Sequence, residues 1–406
     1  MGNRPERQAG PALLTILLGA VGAGPMLTFG LNATSDRVIG DLGIDELQFG
    51  LIATVCFACA AVGNAVFGGI ADRRSDLFLM TLIFLLAASA LLLVAVPAGF
   101  WLLLVSAGLC GIAQSFPNGV TNRILLDRVP GARRIAWVGV KQSGVQASQL
   151  VASLTFPLLA LAAGWRGAAA ISALLPLLLL AMTWRTLRAV PLLPEVQARD
   201  KAPSSVPEPR KRARVKQPGL VWAMAVFGLL NGVGVQATNV YMPLFAVREL
   251  DFSLVLGGAT AAVAGFVGVT ARVGWARVMA AGASGPKLLV VLGLVAMAGA
   301  GCFYGAWATG SAALLWTAVA LHGASALGVS VVLMSALMRA IPSASMASAS
   351  GMATAGMFAG FTLGPVGMGA LVNSPGGFPA GWIAVGVMYL LCVVLAAVLL
   401  RRAGRA

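Results

Sequence analysis

The sequence predicts an all-α membrane protein with twelve transmembrane helices in two pseudo-repeated halves of six helices each. Three observations favour this fold: an apolar composition, a series of long apolar runs, and a polar segment near the middle of the chain. Hydrophobic residues make up 59% of the sequence and charged residues only 10%, whereas a soluble domain has about 25% charged residues. The apolar runs do not alternate between apolar and polar residues, so helices are the predicted spanning elements.

Each apolar run is long enough to cross a bilayer, whose hydrocarbon core of about 30 Å requires about 20 mostly apolar residues. Several connections are short, so we expect neighbouring helices to be antiparallel. The first run is too long for the core of a signal peptide and lacks a clear cleavage site, so we expect a retained helix. The predicted spans, numbered 1 to 12, lie near residues 11–33, 47–70, 77–96, 99–121, 135–162, 167–186, 219–246, 253–276, 287–307, 311–336, 346–372 and 380–400.

The distribution of lysine and arginine predicts the orientation of the chain in the membrane. With the N-terminus inside, most basic residues fall on the inner side, and the outer side keeps only Arg37, Arg166 and Arg248. Both termini are therefore predicted to be cytoplasmic in a multi-pass protein of the plasma membrane. The net charge of +15 resides in short loops between apolar runs, so the expected partner is the lipid bilayer and not nucleic acid.

A polar segment, RDKAPSSVPEPRKRARVKQPG, separates spans 6 and 7. It is rich in proline and charge and cannot bury a core, so we predict a linker at 188–217 between halves at 1–187 and 218–406. Its basic run, residues 210–216, either binds anionic lipid or only fixes the topology. An offset of 212 residues aligns glycines and prolines of the two halves, which indicates a duplication. The aligned pairs are Gly111 and Gly323, Pro130 and Pro342, Gly139 and Gly351, and Gly144 and Gly356.

Small residues within the spans indicate how the helices pack. Gly356, Gly360 and Gly364 recur every four residues on span 11, a spacing that lets two helices approach closely. All five cysteines lie in apolar runs. Cys56 and Cys59 form a CxxC without a second pair, so we expect packing there and neither a metal site nor a cofactor.

Several classes of activity do not fit this sequence. A membrane-embedded enzyme would need clustered His, Asp or Glu within the bilayer, but the chain has one histidine, His322, and no carboxylate well inside a span. A primary pump would need a G-x-x-x-x-G-K-[ST] phosphate-binding motif, and none is present. No loop of the sequence resembles an ion-selectivity filter, so a channel is not favoured either. The remaining class is a transporter without its own ATPase.

The loop between spans 2 and 3 reads GGIADRRSD. Through Gly68, Asp72 and Arg73 it resembles the G-x-x-x-D-R loop of the major facilitator superfamily, although Ser75 and Asp76 depart from the usual glycine and basic residue. The resemblance implies a gating role for these three residues in one of the two access states. The alternative is that Asp72 only caps a helix and Arg73 only sets the topology. Within the superfamily, VKQSGV is similar to the fifth helix of the cyanate and nitroimidazole type.

In this superfamily the solute lies near mid-membrane between the halves, where spans 1, 4, 7 and 10 line a cavity and spans 5 and 8 contribute. Polar residues of the present sequence concentrate on those spans. Each amide either contacts the solute or makes an interhelical hydrogen bond. The predicted substrate-binding residues are Asn32, Gln114, Asn118, Lys141, Gln142, Gln146, Gln236, Asn239 and Arg272.

Two basic side chains and one histidine suggest the charge of the solute and its coupling. Lys141 and Arg272 have no carboxylate inside the spans to pair with, so either they extend to the membrane interface or an anionic solute neutralises them. His322 is the candidate for proton coupling, and a hydrogen-bonded packing residue is the alternative.

The predicted function is a secondary active or facilitative transporter that moves a small polar, anionic solute by alternating access, as a monomer, with protons as a candidate coupling ion in symport. The alternative is a drug or metabolite exporter of the same superfamily that works by proton antiport. Such an exporter would have a mostly apolar and aromatic cavity. The aromatic residues available for that cavity are Phe116, Trp137, Phe227 and Tyr241.

Overall fold

The computed structural model describes residues 10–67, 73–193, 219–341 and 343–403, and within these ranges it contains helices and no β-strand. The all-α prediction is confirmed. Most of the predicted linker, including its basic run, lies outside the described residues, as do Gly68 and Asp72 of the loop between spans 2 and 3. The division into residues 1–187, 188–217 and 218–406 stays a prediction.

The first half contains spans 1 to 6. A short helix, Ser35–Leu42, follows span 1. Asp45 precedes span 2 and forms a capping box with Gln48, which fixes the start of that helix. The helices are Pro11–Ala23 and Met26–Ala33 in span 1, Glu46–Val66 in span 2, Asp76–Ala95 in span 3, Gly99–Ala113 and Pro117–Arg128 in span 4, and then Gly131–Gln142, Gly144–Ser172 and Leu174–Ala189, which together form spans 5 and 6.

The second half contains spans 7 to 12, and most of its helices are continuous. The helices are Gly219–Glu249 in span 7, Leu254–Ala280 in span 8, Gly285–Thr309 in span 9, Ala312–Ala324 and Val329–Ala340 in span 10, Ser343–Val372 in span 11 and Gly377–Ala403 in span 12. In span 10 a 3₁₀ turn, Ala326–Gly328, joins the two helices.

The number of membrane spans depends on how two irregular stretches are counted. Among the described residues, ten helices are long and apolar enough to cross a membrane, or eleven when the bent pair in span 1 is counted as one span. One of the ten is the 54-residue stretch Ala136–Ala189, which as a straight helix would be about 80 Å long. Gly164, with φ 70° and ψ 166°, interrupts it. Division at Gly164 gives spans 5 and 6.

Four of the described spans are interrupted, and in span 5 the interruption lies at Ser143. Span 1 bends by 57° between Ala23 and Met26, at Gly24 and Pro25, because a proline has no backbone N–H to continue the helix. Span 4 breaks between Gln114 and Phe116, and span 10 breaks at its 3₁₀ turn. The breaks in spans 1 and 10 free backbone carbonyl groups that side chains of neighbouring spans bind, at Gly24 and at Leu327.

Glycines of span 11 bring it against span 7 as the spacing predicts. A Cβ atom at Gly356, Gly360 or Gly364 would overlap the carbonyl oxygens of Ala225, Leu229 and Val233 respectively. The two backbones are therefore in direct contact over about two helical turns. The structure places these glycines in the packing role expected from their four-residue spacing.

The duplicated glycines make equivalent contacts in the two halves. Gly111 of span 4 leaves no room for a Cβ against the Cys56 carbonyl of span 2, and Gly323 of span 10 does the same against the Ala264 carbonyl of span 8. Gly144 of span 5 likewise packs on span 1, and Gly356 of span 11 packs on span 7. The 212-residue offset therefore relates two halves that are built alike.

The hydrophobic core of the described residues joins the two halves at one end. One buried cluster contains residues of both halves, among them Phe49 and Tyr241. Two further clusters each belong to one half, around Phe84 in the first and Phe227 in the second. We call the joined end, marked by Arg248, the closed end, and the opposite end the open end.

Candidate functional site

An ion-pair cluster joins the two halves at the closed end. Arg248, at the end of span 7, donates from Nε to Asp36 Oδ1 at 2.9 Å and from Nη1 to Glu46 Oε1. Tyr241 donates its hydroxyl to the Glu46 carbonyl at 2.5 Å, and Asn373 donates to Asp45 Oδ2 at 3.3 Å. This cluster was not predicted from the sequence. The available signal was that Arg248 is one of three basic residues on the predicted outer side.

Close backbone contacts accompany these ion pairs. A Cβ atom at Gly50 of span 2 would lie 2.5 Å from the Pro365 carbonyl of span 11. A Cβ atom at Gly258 of span 8 would lie 2.5 Å from the Ser153 carbonyl of span 5. The halves are thus in close contact at this end along spans 2 and 11 and along spans 5 and 8.

Toward the middle of the membrane, three buried polar side chains from three spans meet between the halves. Asn239 Oδ1 of span 7 lies 3.1 Å from His322 Nε2 of span 10 and 3.5 Å from Gln149 Nε2 of span 5. The amide oxygen of Asn239 thus accepts hydrogen bonds from side chains of both halves. We call Gln146, Gln149, Asn239 and His322 the polar centre, and all four side chains are buried.

Polar atoms on span 5 remain without a partner in this region. Gln146 Oε1, Gln149 Oε1 and Ser153 Oγ are buried and make no hydrogen bond. Their spacing of three, four and seven residues places them on one helical face, and the glycines of span 8, Gly265 and Gly268, pack against the same face. A buried polar atom without a partner costs about 1–3 kcal/mol, so this face favours a ligand that donates hydrogen bonds.

The structure separates the other predicted polar residues into three environments. Asn32 of span 1 and Gln236 of span 7 are buried beside residues of the hydrophobic cluster that both halves share. Asn118 and Gln142 are exposed near the open end, where Gln142 Nε2 donates to Asn118 Oδ1 at 3.2 Å. Gln114 turns into the first half and makes an interhelical hydrogen bond, donating to the sulfur of Cys56 at 3.1 Å; its role in solute binding stays a prediction.

The two predicted cations occupy different positions. Lys141 is completely buried between spans 4 and 5, where Nζ donates to Thr121 Oγ1 at 2.7 Å. Arg272 is partly exposed on span 8, and Nε donates to the Leu327 carbonyl at 3.0 Å in the break of span 10. No ion pair among the described residues involves either side chain. Arg272 lies one turn from Gly268, on the face that packs on span 5.

The loop between spans 2 and 3 is tied to span 4 through a residue outside the three predicted gating positions. Asp76, the first residue of span 3, pairs with Arg123 Nε at 2.7 Å and with Arg128 Nη2 at 3.8 Å. Arg123 also donates to the Arg74 carbonyl at 2.9 Å. Arg73 is exposed in the turn before span 3. The gating role of Arg73 stays a prediction, and Gly68 and Asp72 lie outside the described residues.

The fold and this arrangement define a membrane transporter: two similar helical halves, joined at one end, with a polar centre between them. The chain belongs to the Major Facilitator Superfamily, because the model of that family matches residues 12–354. The predicted superfamily is therefore confirmed, and its members are transporters and not enzymes.

Known proteins resemble this chain over different lengths. A putative metabolite transport protein of Haemophilus influenzae is 25% identical over 245 residues, so the match spans 59% of this chain and 58% of that protein.

Three solved structures share the fold at low identity. A bacterial homologue of the human lysosomal transporter Spinster, inward-facing and occupied, has a TM-score of 0.73 and 17% identity, covering 98% of this chain and 96% of that one. The nucleoside transporter NupG has a TM-score of 0.70 and 15% identity, covering 97% and 99%. A D-xylose-proton symporter has a TM-score of 0.72 and 16% identity, covering 95% and 96%.

Proposed function

We propose that this transporter moves a small polar, anionic solute between its halves by alternating access, either as a secondary active or as a facilitative carrier. The observation that carries the proposal is the unpartnered face of span 5, where Gln146 Oε1 and Gln149 Oε1 are buried between the halves beside Asn239. Buried amides without partners are costly, and polar residues within membrane spans commonly mark a solute path.

The positions of the amides and of Arg272 limit the chemistry and size of the solute. Gln146 contacts span 8 at Gly268, and Arg272 lies four residues further along that helix, which corresponds to about 6 Å. A solute with hydroxyl or amino donors at one end and a carboxylate at the other can reach both. This favours a small organic acid that also carries hydrogen-bond donors.

Lys141 has a different role in this proposal from Arg272. Its ammonium group is buried behind Thr121 and does not face the gap between the halves in this conformation. It therefore acts as a fixed positive charge beside the path, which favours an anion nearby by Coulomb attraction. Arg272 is the side chain proposed to contact the anionic group directly.

The conformation supports alternating access in the predicted orientation. The interhalf hydrogen bonds and ion pairs of the described residues run from the polar centre to the closed end. If both termini are cytoplasmic in the plasma membrane, the open end faces the cytoplasm. Gly68, Asp72 and Arg73 are the proposed gating residues at that end, and the carrier is proposed to work as a monomer.

His322 is the proposed proton-coupling residue, because it is the titratable group within the polar centre and bonds directly to Asn239. The exporter alternative has less structural support. Phe116 stacks on Phe67 and Phe227 is in the core of the second half, so these aromatic residues do not line one common cavity with Tyr241.

Thermal unfolding of the purified carrier tests the proposal. Hydroxy acids, amino acids, neutral polyols and organic cations are added to the wild type, Arg272→Gln and Gln149→Leu. A ligand at 100 times its dissociation constant stabilises by about 2.7 kcal/mol. We expect hydroxy or amino acids to stabilise the wild type and neither variant, while Arg277→Gln, an exposed arginine on the same span, behaves as the wild type. Stabilisation by cations alone, or an unchanged response of Arg272→Gln, would contradict the anionic solute.

Proton coupling needs a separate measurement in liposomes. With the solute identified, uptake driven by an imposed pH gradient is compared for the wild type and His322→Gln, which retains a side chain able to bond Asn239. We expect the variant to exchange solute across the membrane but to lose accumulation driven by the gradient. Accumulation at the wild-type level would remove His322 from the coupling mechanism.

A further inference from the structure

Three cysteines meet where span 1 bends and span 4 breaks, in a part of the first half that the polar centre does not use. Cys56 and Cys110 are completely buried, and their sulfur atoms lie 3.3 Å apart. Cys59, one turn further along span 2, is partly exposed. All five cysteines of the chain are free thiols. Cys56, the first cysteine of the CxxC, thus contacts Cys110 of span 4 and not Cys59, the second cysteine of the motif.

Hydrogen bonds and backbone packing hold this pair in place. Gln114 Nε2 donates to Cys56 Sγ at 3.1 Å, and Cys110 Sγ donates to the Gly24 carbonyl at 2.9 Å, beside Pro25. Gly111 has no room for a Cβ atom because the Cys56 carbonyl occupies that space. Spans 2 and 4 are in backbone contact here, so the two sulfurs cannot separate without disturbing the helix packing.

We propose that Cys56 and Cys110 are an oxidisable dithiol, a modification site where a lipid-soluble two-electron oxidant of the quinone class forms a disulfide between spans 2 and 4. Two S–H bonds break and one S–S bond forms, while two protons and two electrons pass to the quinone, which leaves as hydroquinone. The sulfurs must approach from 3.3 Å to about 2.05 Å. Quinones dissolve in the hydrocarbon core, the layer that contains both thiols.

Oxidation has a structural consequence for span 1. The disulfide removes the S–H group that Cys110 donates to Gly24, so the carbonyl at the bend loses its partner. A thiol is a weak donor, so this bond contributes about 0.5 kcal/mol, the lower end of the range for hydrogen bonds, which corresponds to about a twofold change in an equilibrium constant. The helix after the bend carries Asn32, so we expect the oxidised carrier to transport about twofold more slowly than the reduced one.

Counting thiols after oxidation tests the modification. The reduced carrier in liposomes is exposed to duroquinone, a fully substituted quinone that cannot add to thiols, and is then denatured and alkylated with maleimide. We expect the wild type to lose two of its five alkylatable thiols and to regain them with dithiothreitol. Cys56→Ser and Cys110→Ser should lose none, and Cys302→Ser should lose two, as the wild type does. Five remaining thiols in the wild type, or a disulfide through Cys59, would overturn the assignment.

Transport by Cys110→Ser separates oxidation from packing. A serine hydroxyl can still donate to the Gly24 carbonyl, so this variant should fold and should transport at nearly the wild-type rate. We expect its transport to be insensitive to duroquinone, whereas wild-type transport falls and recovers on reduction. Equal inhibition of both proteins would show that the quinone acts elsewhere and would refute the effect on the bend.

Discussion

Replacing Arg248 with glutamine should shift the carrier toward the state in which the closed end is open. Arg248 belongs to the second half and its two partners, Asp36 and Glu46, belong to the first. These ion pairs exist only while the halves are joined at this end. Glutamine keeps a polar side chain of similar length but removes the charge, so the variant removes the attraction and leaves the helix packing intact.

The size of the shift follows from the exposure of the three side chains. Arg248 and Asp36 are 31% and 38% exposed, and Glu46 is 17% exposed. An exposed ion pair contributes about 0.2–1 kcal/mol, and the less exposed pair with Glu46 belongs at the upper end of that range. The sum is about 1–1.4 kcal/mol, so the ratio of open to closed molecules should rise about five- to tenfold.

Alkylation of a cysteine placed in the interface measures this ratio. Thr54 of span 2 is partly buried and donates to the Thr362 carbonyl of span 11, so a cysteine at position 54 is reachable from this end only when the halves separate. A membrane-impermeant maleimide is applied to the side of the membrane on which Arg248 lies. Peptide-resolved mass spectrometry follows the reporter thiol separately from the native ones.

We expect Arg248→Gln to raise the alkylation rate of Thr54→Cys about five- to tenfold, with a smaller difference in high salt because ions screen exposed charges. Arg37→Gln removes a charge from the same end at an exposed residue outside the described ion pairs, and it should leave the rate unchanged. An unchanged rate in Arg248→Gln, or an equal increase in Arg37→Gln, would refute the reasoning.

Three further outcomes are expected. Tyr241→Phe removes the hydrogen bond from the tyrosine hydroxyl to the Glu46 carbonyl at the start of span 2, so alkylation of Thr54→Cys should rise about two- to fivefold. An unchanged alkylation rate would show that this bond forms equally in the open and closed states. Thr121→Val leaves the buried Lys141 ammonium without its partner and should lower the free energy of unfolding by about 1–3 kcal/mol, more than Lys141→Met. Gly360→Ala forces a Cβ into span 7 and should destabilise by about 1–3 kcal/mol. Gly367→Ala, where nothing lies within 4 Å, is its control in thermal unfolding.

The sequence was sufficient for the fold because bilayer thickness fixes how long an apolar helix must be. The predicted ends of the spans were less accurate than their order along the chain. Span 4 was predicted to end near 121 but continues as a helix to Arg128, since charged residues beyond the membrane can remain helical and hydropathy does not detect them. The close packing of span 11 was predictable from its glycines because a four-residue spacing always falls on one helical face.

The candidate site was predictable only in part. Gln146, Asn239 and His322 were expected on cavity-lining spans, and the structure brings them together in the polar centre, while their roles in solute binding and proton coupling stay predictions. Lys141 is buried between spans 4 and 5. The sequence left its position open, because the helix ends at Gln142 and a second one begins at Gly144, so the side chains on either side of Ser143 do not follow one continuous register.

The ion pairs of the closed end could not have been predicted from local pattern. Arg248 and Asp36 are 212 residues apart, and nothing in the hydropathy of either connection indicates that the two segments meet. Their partnership depends on how the halves are placed against each other, which is a property of the complete fold. An exposed charge beside a membrane helix has many possible neighbours until that placement is known.

Spans 1 and 2 begin at Pro11 and Glu46 and spans 7 and 8 at Gly219 and Leu254, an offset of 208 residues for both pairs. By that offset Asp36 is equivalent to Leu244, and Arg248 is equivalent to Gly40. The ion pair between Asp36 and Arg248 therefore joins non-equivalent positions of two similar halves. Two identical copies of one half would have carried this pair twice, once in each direction, so the contact that holds the closed end is a one-sided feature of halves that have diverged.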